Sequence, residues 1–160
     1  MKAGTFTQMY VQLVFAVKNR NAGLYKVNRS RIFEYISGII TNMGHKSIIV
    51  NGSINHVHIL IGLHPSMSVA ETVHGIKRNS TLFINRERLC PSKFEWQDGY
   101  GGFTYSKSQL DDVYKYIENQ ELHHKKMTFK EEYINFLQKF EIDYDEQFLF
   151  DFWEEDESME

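Results

Sequence analysis

Two segments of this chain carry residue types that do chemistry together. The first is Asn55-His56-Val57-His58. Side chains alternate across a strand, so His56 and His58 point to one face while Val57 and Ile59 point to the other. Two imidazoles about 7 Å apart along a strand can lean onto one divalent metal ion. Two nitrogens do not fill a coordination sphere, so a third protein ligand is needed. The hard metals of phosphate chemistry accept an amide or carboxylate oxygen there. The second segment runs from Lys107 to Glu121, where Leu110, Val113, Tyr114 and Ile117 recur at the spacing of a helical core stripe. At roughly 100° per residue Tyr116 falls about 60° outside that stripe, and Gln120, one turn later, shares its flank. A phenol is a competent covalent nucleophile, and a metal that polarises a phosphate oxygen stabilises the charge of its displacement. The residues alone leave plainer readings open: two histidines on a half-exposed sheet, and a boundary tyrosine with its hydroxyl in water.

These side chains need a scaffold. Residues 5–17 are β-branched and aromatic and predict a long first strand. Ser30 offers a cap for a helix to about Met43, with Gly44 at its C-terminal end. Residues 46–51 and 56–63 predict two further strands joined through Gly52-Ser53, the second apolar enough to be central. Ser68 or Ser66 caps a helix to about residue 86. Residues 94–105 predict a strand bent by glycines, residues 107–124 a single helix behind Ser106, and residues 129–140 a last helix behind Thr128. The order predicts an α+β fold of ferredoxin-like, split βαβ type. It has an antiparallel sheet with helices on one face, an extra tyrosine-bearing helix, and a C-terminal helix and tail. The opposite sheet face, if open, is a common nucleic-acid platform.

The chain has 160 residues, 42% hydrophobic and 24% charged, with two prolines, ten glycines and one cysteine. That composition excludes collagen-like, low-complexity and disulfide-stapled classes. No apolar run is long enough for a membrane helix and no signal-peptide pattern appears, so a cytoplasmic protein is expected. The net charge of -3 hides an asymmetry. Residues 131–160 hold twelve acidic residues and one lysine, while the preceding 130 residues carry a net excess of eight basic charges. A basic body suits a polyanion. Lys18, Arg20, Lys77, Arg78, Arg86 and Arg88 are the candidates to grip phosphates, with ordinary solvated surface as the alternative. Residues 1–140 read as the catalytic domain. Residues 141–160 read as an acidic, aromatic tail packed on the body or on a partner subunit, with Glu155 to Glu160 loose.

Three segments together carry a resemblance. They are His56-Val57-His58, the run Trp96-Gln97-Asp98-Gly99-Tyr100-Gly101, and Tyr116-Ile117-Glu118-Asn119-Gln120 followed by His123-His124-Lys125-Lys126. Over about residues 5–135 the chain resembles the single-tyrosine HUH transposases of small, hairpin-ended insertion sequences and the REP-associated tyrosine transposases. The resemblance implies that His56, His58 and Gln120 bind Mg²⁺ or Mn²⁺ and that Tyr116 attacks a phosphate of single-stranded DNA. The products would be a 5′-phosphotyrosine link and a free 3′ hydroxyl, and that hydroxyl then serves strand transfer. It further implies recognition of DNA hairpin ends and a homodimer in which the tyrosine helix can complete the partner's site. Asn55 departs from the family pattern, which usually has an acidic residue before the first histidine. The competing functions are a single-stranded nucleic-acid-binding module without chemistry and an inactivated or host-adopted transposase.

Overall fold

The computed structural model describes residues 4–154. Four strands, β1 (Tyr10–Ala16), β2 (Lys46–Gly52), β3 (His56–Gly62) and β4 (Gly101–Tyr105), form one antiparallel sheet in the order β2-β3-β1-β4. Helix α1 (Lys26–Asn42) joins β1 to β2, and α2 (Val69–Arg86) joins β3 to β4. This is the ferredoxin-like order, with β1 and β3 side by side at the centre. After β4 come α3 (Leu110–Glu118), α4 (Gln120–Lys126) and α5 (Phe129–Lys139).

Register decides what each face carries. Val14 lies opposite His58 and Gly101, Ala16 opposite His56, Gln12 opposite Phe103, and Asn51 opposite His58. Alternation puts all of these on one face. The other face presents Leu13, Phe15, Val57, Ile59 and Ile61, which are buried together with Ile32, Ile36 and Ile40 of α1 and Val73, Ile76 and Ile84 of α2. Tyr35 of α1 stacks on Phe83 of α2 with ring centroids 3.7 Å apart, which ties the two helices together.

The histidine face is not an open platform. Phe129 of α5 stacks on His56 with centroids 3.9 Å apart, and Phe136 stacks on Phe103 at 5.1 Å. Tyr133 lies so close over Gly101 that a Cβ there would meet its hydroxyl at 2.8 Å, so β4 needs glycine at that rung. The segment after α5 returns to the body. Trp153 donates its indole N–H to the Val17 carbonyl at 2.8 Å, and the Gln97 amide bonds the Asp151 backbone in both directions at 2.7 and 2.8 Å. Phe150 and Phe152 surround Phe129, whereas Phe148 is 79% exposed. Glu155 to Glu160 lie outside the described residues.

Several sequence expectations need correction. β1 begins at Tyr10, not residue 5, because both neighbouring strands stop opposite Tyr10. α1 starts at Lys26 behind Tyr25, with no side-chain cap, so Ser30 is interior. Its first turn is held instead by Asn28 and Arg29, whose side chains donate to the Leu89 and Leu24 carbonyls at 2.9 and 2.8 Å. Gly44, at φ +93°, does end that helix, and Ser68 does cap α2 by accepting from the Glu71 N–H. The stretch 94–105 splits into an isolated bridge, Val17 to Trp96, and β4, with Gly99 turning at φ +86° between them. The single helix expected over 107–124 breaks at Asn119, whose φ and ψ of -96° and 26° leave the helical region.

Candidate active site

The site is built around one carboxylate that the sequence did not single out. Glu132 sits on the inner stripe of α5 among Phe129, Tyr133 and Phe136, and only 4% of it is exposed. Its Oε1 lies 2.9 Å from His58 Nε2 and 3.3 Å from His56 Nε2. Its Oε2 accepts a short hydrogen bond from the Tyr116 hydroxyl and another from Gln120 Nε2 at 3.3 Å. Gln120 Oε1 is 3.1 Å from His56 Nε2. Both imidazoles and Gln120 are buried. The structure therefore brings His56, His58, Tyr116 and Gln120 together, and adds Glu132.

Two amides orient the histidines. Asn55 Oδ1 is 2.7 Å from His56 Nδ1, and Asn55 Nδ2 donates to the Trp153 carbonyl at 2.8 Å. The carbonyl can only accept, which fixes the Asn55 amide and makes His56 Nδ1 the protonated nitrogen. Asn55 thus does the orienting work expected of a carboxylate, and its second hydrogen bond is one a carboxylate could not make. On the other side Gln12, fully buried on β1, lies 2.8 Å from His58 Nδ1 through its Nε2 and accepts from the Tyr105 hydroxyl at 2.6 Å. A half-turn of the Gln12 amide would let it accept from His58 instead, freeing His58 Nε2 toward the site.

Burial lowers the His56 imidazole more than Glu132 and Gln120 raise it. Burial also opposes ionisation of Glu132, but the two imidazoles, His58 first, outweigh it and hold that carboxyl well below the usual range. Burial and the adjacent Glu132 carboxylate push the Tyr116 phenol well above its usual value. A neutral His56 presents a lone pair from Nε2 to two oxygens, Gln120 Oε1 and Glu132 Oε1. A divalent cation would relieve that convergence. His56, His58 and Glu132 each offer a donor atom within 4.8 Å of the others. Glu132 Oε1 lies 3.3 and 2.9 Å from the two imidazole nitrogens and Gln120 Oε1 lies 3.1 Å from His56 Nε2, close to the edge of an octahedron with bonds of about 2.1 Å. The residues fit a divalent metal, with Glu132 added to the expected ligand set.

The helix break serves this geometry. Asn51, opposite His58, donates its amide to the Ile117 and Glu118 carbonyls at 2.9 and 3.1 Å, capping the C-terminus of α3. The chain can then turn at Asn119 and send Gln120 inward. Asn51→Ala is expected to cost about 1–3 kcal/mol, because it leaves two terminal carbonyls without this donor. A thermal melt reads the loss, and Asn51→Asp, which cannot donate, should not restore it. Tyr114, expected in the core stripe, is 38% exposed, while Tyr116 is the more buried of the two and stacks on His123 at 4.3 Å. Asn55→Asp is expected to keep His56 oriented yet weaken docking of the 149–154 segment by about 1–3 kcal/mol, through loss of the donor to Trp153. Limited proteolysis of that segment measures it.

The basic candidates lie elsewhere. Lys77 spends its ammonium on the Gln97 and Gly99 carbonyls at 2.8 and 2.7 Å, and Lys18 pairs with Glu95 at 3.2 Å. Arg86 lies 3.8 Å from Glu87 and over the Phe83 ring. Arg78 shares a surface groove with Lys18 and Lys77, and Arg20 shares another with Arg88. No helix among the described residues is long and apolar enough to cross a membrane.

The sequence model of the IS200-like transposases matches residues 5–120. The chain belongs to the IS200-like transposase family. A solved structure of a candidate transposase from Deinococcus radiodurans R1 is similar, with 21% identity over 75% of this chain and 96% of that one, and a TM-score of 0.58. A REP-associated tyrosine transposase bound to a REP hairpin is similar at 12% identity, covering 78% of this chain and 74% of that one, with a TM-score of 0.56. No curated protein matches the sequence. The transposase activity of this family is DNA transposition, which cuts and rejoins DNA. Glu132 lies beyond the stretch that the family model matches. One signal in the sequence could have found it: an acidic residue inside the apolar stripe of a helix.

Proposed function

We propose that this transposase cleaves single-stranded DNA at hairpin ends through a covalent 5′-phosphotyrosine link to Tyr116, then transfers the strand. The observation that carries this reading is the convergence of the Tyr116 hydroxyl, the Gln120 amide and both imidazoles on the Glu132 carboxylate. The Tyr116 hydroxyl, the Gln120 amide and both imidazoles meet within one chain, which supports Tyr116 acting beside the histidines of its own subunit, whether or not the protein is a homodimer. The hairpin bound in the similar REP-associated structure supports a hairpin ligand here.

His56, His58, Gln120 and Glu132 would hold a divalent metal, and Mn²⁺ suits two imidazoles with two oxygens better than Mg²⁺. When bound, that ion supplies charge to polarise the scissile phosphate and stabilise its displacement. The chain's own residues do the rest. Asn55 and Gln12 fix the imidazole planes. Glu132 holds the Tyr116 hydroxyl in place and is the acceptor for its proton. Phe129 and Phe136 pack beside the histidines and keep bulk water from them. The phenol oxygen forms its bond to phosphorus as the bond to the 3′ oxygen breaks; the phenol proton passes to Glu132, and the departing 3′ oxygen takes up a proton from solvent and is released as a hydroxyl. Phosphoester bonds are exchanged in number, so no nucleotide triphosphate is consumed.

The test is cleavage of labelled single-stranded oligonucleotides from both flanks of the gene, with Mn²⁺ and with EDTA. A Mn²⁺-dependent protein–DNA adduct on a denaturing gel supports the reading. Hairpin binding with no adduct, under any divalent metal, would make this chain a binding module or an inactivated copy.

A further inference from the structure

A cleft of about 340 Å³ opens directly beside the tyrosine. It shares Tyr116 and Glu132 with the site, and its floor includes Gln12, the amide that orients His58. Its size is near the lower end of the ~300–1,000 Å³ typical of small-molecule sites, which suits one nucleotide and not a stretch of strand. Tyr105 and Phe136 supply aromatic wall, and both are half-buried. Burial pushes the Tyr105 phenol up to about 12, so it stays a neutral stacking surface. At the rim stand Asp112, Asn135 and Lys139, all exposed. The Asp112 and Asn135 side chains have no hydrogen-bond partner among the described residues. Aromatic walls with a few polar groups at the edge are what a single unstacked base requires.

The chemistry of the proposed cleavage says which base. An in-line displacement places the attacking oxygen opposite the leaving one. The nucleotide that leaves with the 3′ hydroxyl therefore departs away from the Tyr116 oxygen. The nucleotide on the other side of the phosphate stays joined to Tyr116 through its 5′ oxygen. The cleft is next to Tyr116, so it is on the side of the retained nucleotide. We infer that this cleft is the subsite for the base immediately 3′ of the scissile phosphate. Asn135 and Asp112 face the edge of that base, and the Lys139 ammonium meets the next phosphate. Asn135 can both donate and accept, and Asp112 accepts from a base N–H. This inference rests on the proposed cleavage polarity.

The experiment uses mononucleotides as probes, so it needs neither the cleavage sequence nor turnover. Deoxynucleoside 5′-monophosphates reproduce the retained nucleotide, and the 3′-monophosphates reproduce the leaving one. Each is titrated into the ¹⁵N-labelled full chain to about 10 mM, a range that reaches weak, millimolar binding. The expected result is shifts confined to the lining of the cleft, with Tyr105, Val113, Tyr116, Asn135, Phe136 and Lys139 among them, and 5′ isomers binding at least about fivefold tighter than 3′ isomers. Asn135→Ala and Lys139→Glu, both surface changes outside the catalytic cluster, should each weaken the 5′ isomers by about fivefold. Equal binding of the two isomers, shifts at other surfaces, or no shift at all would overturn the subsite. If the cleft is silent while wild-type protein still forms its covalent adduct, the subsite fails and the proposed function stands. If 5′ nucleotides bind in the cleft of a protein that forms no adduct, the cleavage reading fails and the subsite assignment falls with it, leaving a nucleotide pocket without chemistry.

Discussion

Tyr116→Phe is expected to abolish the covalent protein–DNA adduct and strand cleavage while leaving a folded protein that still binds hairpin DNA. The hydroxyl is the only part removed. The ring keeps its stacking on His123 at 4.3 Å and its edge contact with His58 at 6.1 Å. Glu132 Oε2 keeps Gln120 Nε2 as a donor at 3.3 Å. Loss of one hydrogen bond to a charged acceptor costs about 1.5–3 kcal/mol, which for a domain of this size lowers the melting temperature by roughly 3–12 °C. Activity falls far more, by about 10⁴-fold or beyond, as happens when a covalent nucleophile is removed. Tyr114→Phe is the matched control. Tyr114 lies two residues away on the exposed side of α3, and its loss should leave cleavage within about twofold. An adduct that survives Tyr116→Phe and vanishes in Tyr114→Phe would reverse the assignment.

Glu132 carries the second large expectation. In Glu132→Ala two buried imidazoles lose their shared carboxylate, the Tyr116 hydroxyl loses its acceptor, and a void opens beneath α5. Breaking a buried charged network from one side costs about 3–5 kcal/mol. The expected fall in melting temperature is roughly 6–20 °C. Glu132→Gln separates charge from packing. It keeps shape and hydrogen-bonding capacity, so most of the stability should return, while Mn²⁺ affinity measured by electron paramagnetic resonance should still fall by at least about tenfold. Unchanged Mn²⁺ affinity in Glu132→Gln would remove Glu132 from the ligand set.

Acid stability follows from the same cluster, and the signs agree. Burial lowers the folded His56 imidazole, and the two imidazoles hold the folded Glu132 carboxyl below its usual range despite its burial. The unfolded chain takes up a proton at His56 near pH 6.5 and at Glu132 near pH 4.3, and the folded chain resists both. Stability without metal is therefore full above about pH 7 and falls as pH drops through 6.5 and then 4.3. Urea melts across this range should show that slope flattened in Glu132→Gln below about pH 5.

The sequence was informative wherever spacing alone decides geometry. The period-two alternation of β3 puts His56 and His58 on one face whatever packs above them. The apolar stripes of α1 and α2 and the run of β3 identified those elements, and the order of elements predicted the ferredoxin-like sheet. The helix bearing Tyr116 was only half legible. Its period predicted an uninterrupted helix, but the Asn51 amide from β2 satisfies the carbonyls at its end and permits the break at Asn119. A tertiary donor 66 residues away leaves no mark on local periodicity. Glu132 left only the mark of an acidic residue inside an apolar stripe, and its role was not legible because its partners come from β3, α3 and α4. Asn55 read as a deficiency against the family pattern. Its meaning depends on Trp153, 98 residues later, whose carbonyl takes the proton a carboxylate would lack.

Peptide mapping of the covalent adduct identifies the residue that attacks the phosphate. Wild-type protein is incubated with Mn²⁺ and a cleavable single-stranded substrate, then digested with nuclease and protease, and the nucleotide-bearing peptide is sequenced by mass spectrometry. The expected result is a 5′-linked nucleotide on Tyr116 and a free 3′ hydroxyl on the released strand. A nucleotide on any other residue, or a 3′-linked nucleotide with a free 5′ hydroxyl, would contradict it.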